Sequence, residues 1–141
     1  MHSTDPIECG LPHREPFIFV DEVCALEPGK SATSAKFFGA SEPFFRGHFP
    51  GSPLVPGVIL TEALAQTAGI AAGRPTSENE RKSYRLSAIK LMKFLKPVLP
   101  ETRVTLTAEK LAEVGALLQF QVTATANGER VAEGIIVLSE A

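Results

Sequence analysis

EPFFRGHFPGSPLVPGVILTEALAQTAGIAA, residues 42–72, joins two segments of opposite character. Its first half places Gly47, Pro50, Gly51, Pro53, Pro56 and Gly57 within eleven residues. That density forbids regular structure, because proline removes a backbone donor and glycine frees the chain for sharp bends. A rigid, specifically bent loop is expected there. The second half, Val58 to Ala72, contains no proline and only Gly69 as a breaker, and its alanine and leucine content favours helix. Pro56 stands where a first-turn proline is tolerated. This helix is apolar on nearly every side, and such helices belong inside a protein, so something must wrap around it. At about fifteen residues it falls short of the roughly twenty that cross a bilayer.

Working outward, Gly73 to Lys82 is polar and turn-rich and reads as an exposed connection. Beyond it Ser83–Phe94, Arg103–Leu111, Ala116–Ala126 and Arg130–Ser139 are strand-like, with Pro97 and Pro100 separating the first pair. Asn127-Gly128 is a strong hairpin signal and Glu113 to Gly115 supplies another turn, so the carboxy-terminal half reads as an antiparallel meander. On the other side, Ser31 to Phe38 alternates as a strand. The aromatic and β-branched stretch Pro16 to Val23, PFIFVDEV, reads as a strand or an entry into one, followed by a turn at Pro28-Gly29. Strands gathered around one buried helix predict an α+β architecture, a sheet curled around the helix, as a single domain over residues 1–141.

The composition narrows the function. Hydrophobic residues make up 44% and charged residues 21%, an ordinary globular balance. Fourteen basic and 16 acidic side chains give a net charge of -2, without the basic footprint of a nucleic-acid binder. Cys9 and Cys24 have no metal-ligand or redox spacing and read as inert small hydrophobes. Met1 to Leu11 lacks a basic start followed by an apolar run, so no secretory signal is read, and a cytoplasmic protein without membrane contact is expected.

Two side chains carry the chemistry. Glu62 is the only ionisable residue between His48 and Arg74, and it lies inside an apolar helix. Desolvation there would favour the protonated carboxyl, which a general acid requires. The residues alone leave open a structural glutamate bonded to Gln66, one turn on along the same face. His48, in FRGHFPG, sits in an apolar, rigid setting that suits a neutral imidazole acting as base, or equally a loop-stabilising histidine bonded to nearby carbonyls. Gly57 stands where the helix begins. Its backbone N–H is either a donor toward developing negative charge or part of a turn that simply needs glycine.

The segments LPHREPFIFVDEV (Leu11 to Val23), PGK (Pro28 to Lys30), EPFFRGHFPGSPLVPGVILTEALAQTAG (Glu42 to Gly69), KFLKPVLPE (Lys93 to Glu101) and GERVAEG closely resemble the FabZ-type 3-hydroxyacyl-acyl-carrier-protein dehydratases of the hotdog fold. The resemblance covers nearly the whole chain, and the GHFPGxPxxPGVxxxExxAQ pattern is long and chemically loaded. It implies that His48 takes the C2 proton and that Glu62 assists departure of the 3-hydroxyl as water. Gly57 then donates to the thioester carbonyl. It implies a homodimer, with a trimer of dimers as a further assembly, in which each site takes His from one chain and Glu from the other. An acyl carrier protein bearing the 3-hydroxyacyl chain is the implied partner. Glutamate rather than aspartate at position 62 resembles the dehydratase-only branch. No metal or organic cofactor is expected, since elimination beside a thioester needs an acid, a base and a polarised carbonyl.

Phe49, Val58 and Tyr84 are expected to contact substrate, and Phe44, Phe45, Leu91 and Phe94 are further tunnel candidates. His13 and Arg14, in LPHR, read as mainly structural or interface residues. Arg81, Lys82, Arg85, Lys90, Lys93 and Lys96 form a basic cluster that either docks an acidic carrier or guards a sheet edge. The family typically reads AGIDKARFKRPV where this chain has SAIKLMKFLKPV (Ser87 to Val98), a departure that touches acyl-length preference and carrier docking. It leaves room for a specialised lipid, polyene or polyketide pathway. The competing functions are a hotdog thioesterase, which needs no histidine in a GHFP loop, and a non-catalytic acyl-binding partner subunit.

Overall fold

The computed structural model describes residues 3–73 and 83–140. Six strands and one long helix follow in the order β1 (Glu22–Glu27), β2 (Ser31–Phe38), α1 (Gly57–Ala72), β3 (Tyr84–Phe94), β4 (Thr102–Val114), β5 (Leu117–Ala126) and β6 (Glu129–Glu140), with a single 3₁₀ turn at Pro43–Arg46 before the helix. The strands form one antiparallel sheet in the order β1-β2-β4-β5-β6-β3, and α1 touches all six. This is the helix-in-sheet hotdog architecture the sequence led us to expect.

The helix is held by its own few polar residues as well as by its apolar surface. Leu60, Ala63, Leu64, Ala68 and Ile70 are buried against Val104, Leu106, Phe120, Val122 and Ile136 of the sheet. Thr67 returns its hydroxyl to the Ala63 carbonyl at 2.9 Å and meets Ser34 of β2 at 2.6 Å, so a fully buried polar pair ties helix to sheet. At the other end the Gly29 N–H, from the β1–β2 turn, donates to the Ala71 carbonyl at 2.8 Å. That bond satisfies one of the acceptors every helix leaves open at its C-terminus.

Two readings are decided by the structure. PFIFVDEV is the entry into a strand, not a strand over its length: β1 begins only at Glu22. The Phe17 carbonyl and the Phe19 N–H are bonded instead to the side-chain amide of Gln66, at 3.1 and 2.9 Å, so Phe17 to Phe19 lies against the helix without joining a ladder. The carboxy-terminal strands are also not one continuous meander. β4, β5 and β6 are, but β3 pairs with β6 at the far edge, not with its neighbour in sequence. The connection over residues 73–82 falls almost wholly outside the described residues.

β3 has two register shifts, Leu86/Ala88 and Ile89/Leu91, and the second lies beside Gly134 of β6. A Cβ at Gly134 would stand 2.1 Å from the Leu91 carbonyl oxygen, so only glycine lets the strands approach there. We expect Gly134→Ala to lower stability by roughly 1–3 kcal/mol, the range for forced overpacking, read as a lower urea midpoint. An unchanged midpoint would show that the close β3–β6 approach is absent.

β2 carries a charge into the protein. Lys36 has its Nζ 3.3 Å from Asp21 and 3.2 Å from Glu42, with only 11% of the side chain exposed. Burial pulls its pKa down, but Asp21 and Glu42 together outweigh burial and hold the ammonium above its ordinary value. The stabilisation is therefore complete below the free-lysine value of 10.5 and is lost as pH rises through the higher folded value. Denaturation of wild type and Lys36→Met should differ most near neutral pH, and the gap should close in strongly alkaline solution.

Candidate active site

The Lys36–Glu42 pair fixes the start of the loop that leads to His48. Glu101 fastens the same loop, accepting the Ala40 N–H at 3.0 Å while its own N–H donates to the Phe38 carbonyl at 2.7 Å. Phe45 is buried and Phe44 packs on it and on Phe38, with ring centroids 4.8 and 6.3 Å apart. Both rings pack against the core, a role the sequence does not separate from that of a tunnel wall.

The His48 loop closes on itself. Phe49 and Ser52 exchange backbone hydrogen bonds at 3.1 and 2.8 Å, with Gly51 at a φ of 76°. The Leu54 N–H donates to the His48 carbonyl at 3.0 Å, and the His48 ring Nδ1 lies 3.1 Å from the Leu54 carbonyl. A carbonyl oxygen only accepts, so Nδ1 carries the hydrogen and Nε2 presents its lone pair. The bent Gly/Pro loop thus sets the tautomer a base requires. The Phe49 ring stacks on the imidazole at 4.0 Å and is itself exposed.

Leu54 also lines a cavity of about 270 Å³, shared with Val55, Gly57, Leu60, Phe94 and Val98. Gly57 opens α1, whose first turn has no side-chain cap. A Cβ on Gly57 would come within 2.8 Å of the Phe94 ring, so the glycine is needed for the aromatic to lie against the helix start. Val58 beside it is exposed. Tyr84 sits at the opposite end of β3 from Phe94, roughly 30 Å away along an extended strand. Within one chain it lies apart from this cavity.

Glu62 faces elsewhere. Five residues on from Gly57, it is turned by about 140° around the helix at 100° per residue. It keeps 21% of its side chain exposed and is held through one oxygen. Oε2 accepts from Gln66 Nε2 at 3.0 Å and stands 3.6 Å from His13 Nε2. His13 was read from the sequence as a structural or interface residue, and the structure sets it against Glu62. Its partner Arg14 donates to the Leu11 and His13 carbonyls at 3.0 and 2.8 Å and shapes the backbone. Among the described residues His48 and Glu62 share no bonding partner.

Of the basic cluster, Arg81 and Lys82 lie outside the described residues. Arg85, Lys90, Lys93 and Lys96 are exposed along β3 and just beyond it. Lys90 bonds Gln119 at 2.6 Å and Lys96 pairs with Glu129 at 2.7 Å. Among the described residues no helix is long and apolar enough to cross a membrane.

A FabA-like domain model matches residues 11–135. A 3-hydroxyacyl-[acyl-carrier-protein] dehydratase FabZ of Acetivibrio thermocellus is 44% identical over 126 residues, covering 89% of this chain and 86% of that protein. Its counterpart in Myxococcus xanthus is 46% identical over 127 residues, covering 88% and 82%. The chain belongs to the FabZ dehydratase family. Solved structures bear on the fold alone. The dehydratase heterocomplex ApeI:P of Xenorhabdus doucetiae superposes with a TM-score of 0.79 at 15% identity, covering 96% of this chain and 91% of that one. A hypothetical thioesterase with coenzyme A from Streptococcus pneumoniae gives 0.64 at 12% identity, covering 85% and 84%.

Gln66 joins the amino-terminal segment to Glu62. It is buried, its two amide hydrogens serve Phe17 and Glu62, and its oxygen serves Phe19. Gln66→Met, similar in volume, leaves two backbone groups unpaired, and we expect a loss of roughly 2–4 kcal/mol in chemical denaturation. Hydrogen exchange at the Phe19 amide should accelerate in the same variant. Unaltered protection there would mean the amide is not the anchor.

Proposed function

We propose that the chain is a hydro-lyase that dehydrates (3R)-3-hydroxyacyl thioesters carried on acyl carrier protein to trans-2-enoyl thioesters, in fatty acid biosynthesis or a related pathway. The observation that carries the reading is the His48 ring, whose Nδ1–H is committed to Leu54 while Nε2 remains free to accept a proton. In the proposed step Nε2 removes a C2 proton. The electron pair becomes the C2–C3 double bond, the C3–O bond breaks, and the departing oxygen takes the proton of Glu62. Water leaves, and the proton returns from His48 to Glu62 through solvent. The Gly57 N–H, at the positive end of α1, is suited to polarise the thioester carbonyl as charge develops.

The acid and base meet, in this reading, across a homodimer. β3 is an edge strand with Ile89 52% and Leu91 44% exposed, apolar surface that an unpaired edge would not carry alone. Pairing β3 antiparallel with its copy, centred near Ile89, would lay Tyr84 of the partner subunit beside Phe94 and bring Phe49, Val58 and Tyr84 into one acyl channel. The substitutions that set this chain apart, Lys90, Leu91 and Met92, fall on that same strand. Exposed Arg85 and Lys93 near the seam suit an acidic carrier. A trimer of dimers is compatible with it, and the enzyme would work in the cytoplasm on the carrier-linked pool.

The test begins with turnover of a 3-hydroxyacyl thioester. An enoyl product supports dehydration, whereas release of free thiol without it supports hydrolysis. His48→Ala and Glu62→Gln should each reduce turnover by about 10² to 10⁴, the usual span for acid-base groups. Co-refolding the two inactive variants should then restore about a quarter of wild-type activity, because half the dimers are mixed and each holds one intact site of two. No recovery would place acid and base on the same chain.

A further inference from the structure

We infer that His13 is a positioning residue for Glu62: its Nε2, 3.6 Å from Oε2 of that carboxyl group, closes on it to donate as charge forms and thereby commits Oε1 to delivering the proton. The inference rests on the reading of Glu62 as the acid, and it goes beyond that reading by assigning the two carboxyl oxygens different work.

The geometry around His13 leaves its ring one polar neighbour. Nε2 is 3.6 Å from Glu62 Oε2, and Nδ1 is buried without a hydrogen-bond partner among the described residues. A proton on Nδ1 would meet nothing, whereas a proton on Nε2 points at a carboxylate, so the Nε2–H form is favoured. The position is built, not incidental. Phe17 stacks on the imidazole with centroids 6.1 Å apart, and the Phe17 carbonyl is bonded to the same Gln66 amide that holds Glu62. Phe19 in turn closes edge-on against Phe17 at 4.9 Å. Helix and amino-terminal segment therefore converge on one carboxyl oxygen from two directions.

The chemical consequence follows from the direction of proton flow. Glu62 begins the step as a neutral acid and ends it as a carboxylate, with the new charge shared between its oxygens. Gln66 donates to Oε2 and the His13 Nε2–H faces the same oxygen at 3.6 Å, so the carboxylate gains more from them than the acid does. That difference accelerates the step without tightening substrate binding. The 3.6 Å separation is an ion-pair distance; donors of this kind draw in as charge forms.

His13→Leu keeps the volume and removes the donor, and His13→Gln restores an N–H close to the original Nε2. In the full-length dimer we expect His13→Leu to lower kcat about tenfold to a hundredfold with KM within about twofold, and His13→Gln to return kcat to within about threefold of wild type. Equal losses in Leu and Gln, a loss confined to KM, or wild-type kcat in Leu would each overturn the inference. Glu62→Gln, run alongside, separates the two levels. If it is inactive while His13→Leu is normal, the positioning role alone fails. If Glu62→Gln itself turns over normally, the acid assignment fails and takes this inference with it.

Discussion

Gln66 is a polar side chain on a helix that water barely reaches, and most of what is functional in this chain depends on how its amide is spent. An unpaired amide in that position would be strongly unfavourable. Its three hydrogen bonds, to Phe17, Phe19 and Glu62, are the full set that the geometry allows. Two of them take the place of ladder bonds for a backbone segment with no strand partner. The third orients a carboxyl group. A single buried side chain thus fixes the amino-terminal segment to the helix and the Glu62 carboxyl group to both.

His48 is supported by a different principle. Its loop continues from the 3₁₀ turn, whose Phe44 carbonyl accepts the His48 N–H at 3.0 Å, and otherwise has no helix or strand of its own. It is held by a tight turn between Phe49 and Ser52, a reciprocal bond pair between His48 and Leu54, and the Val55 N–H, which donates to the Val98 carbonyl at 2.8 Å. Each of these bonds uses backbone groups that the prolines and glycines leave free in conformations a helix or strand cannot offer. The proline-rich composition is therefore what allows a loop, ordinarily the most mobile part of a fold, to hold an imidazole in one tautomer.

Local features of this architecture were legible in the sequence, and long-range ones were not. β2 matches its expected boundaries, α1 starts one residue earlier than read, and Asn127-Gly128 forms the hairpin with both residues at positive φ, 53° and 76°. Each of these is decided within a few residues. Of the two readings of Pro16–Val23, the entry into a strand holds, because a side chain 47 residues away takes the place of a ladder partner. The placement of β3 beside β6 depends on a crossover past the helix that no local pattern encodes. Gly134, alone inside an otherwise β-prone run, was the available signal for that close approach. His13 was passed over because its neighbour Glu62 is 49 positions distant and no spacing rule joins them.

A histidine and a glutamate on facing surfaces of one small chain would pair with each other, each satisfying the other and neither remaining free for a substrate. Here each has a prior commitment on one atom only: His48 through Nδ1 to Leu54, Glu62 through Oε2 to Gln66 beside His13. The remaining atoms, Nε2 and Oε1, carry no such commitment among the described residues. Elimination needs this arrangement, because the proton leaves from one carbon while the hydroxyl departs from the next, and the two groups must attend to separate atoms at once. In the proposed dimer, holding them apart within a chain and joining them between chains would keep both reactive, and would make the exposed apolar edge of β3 part of the chemistry as well as of the assembly.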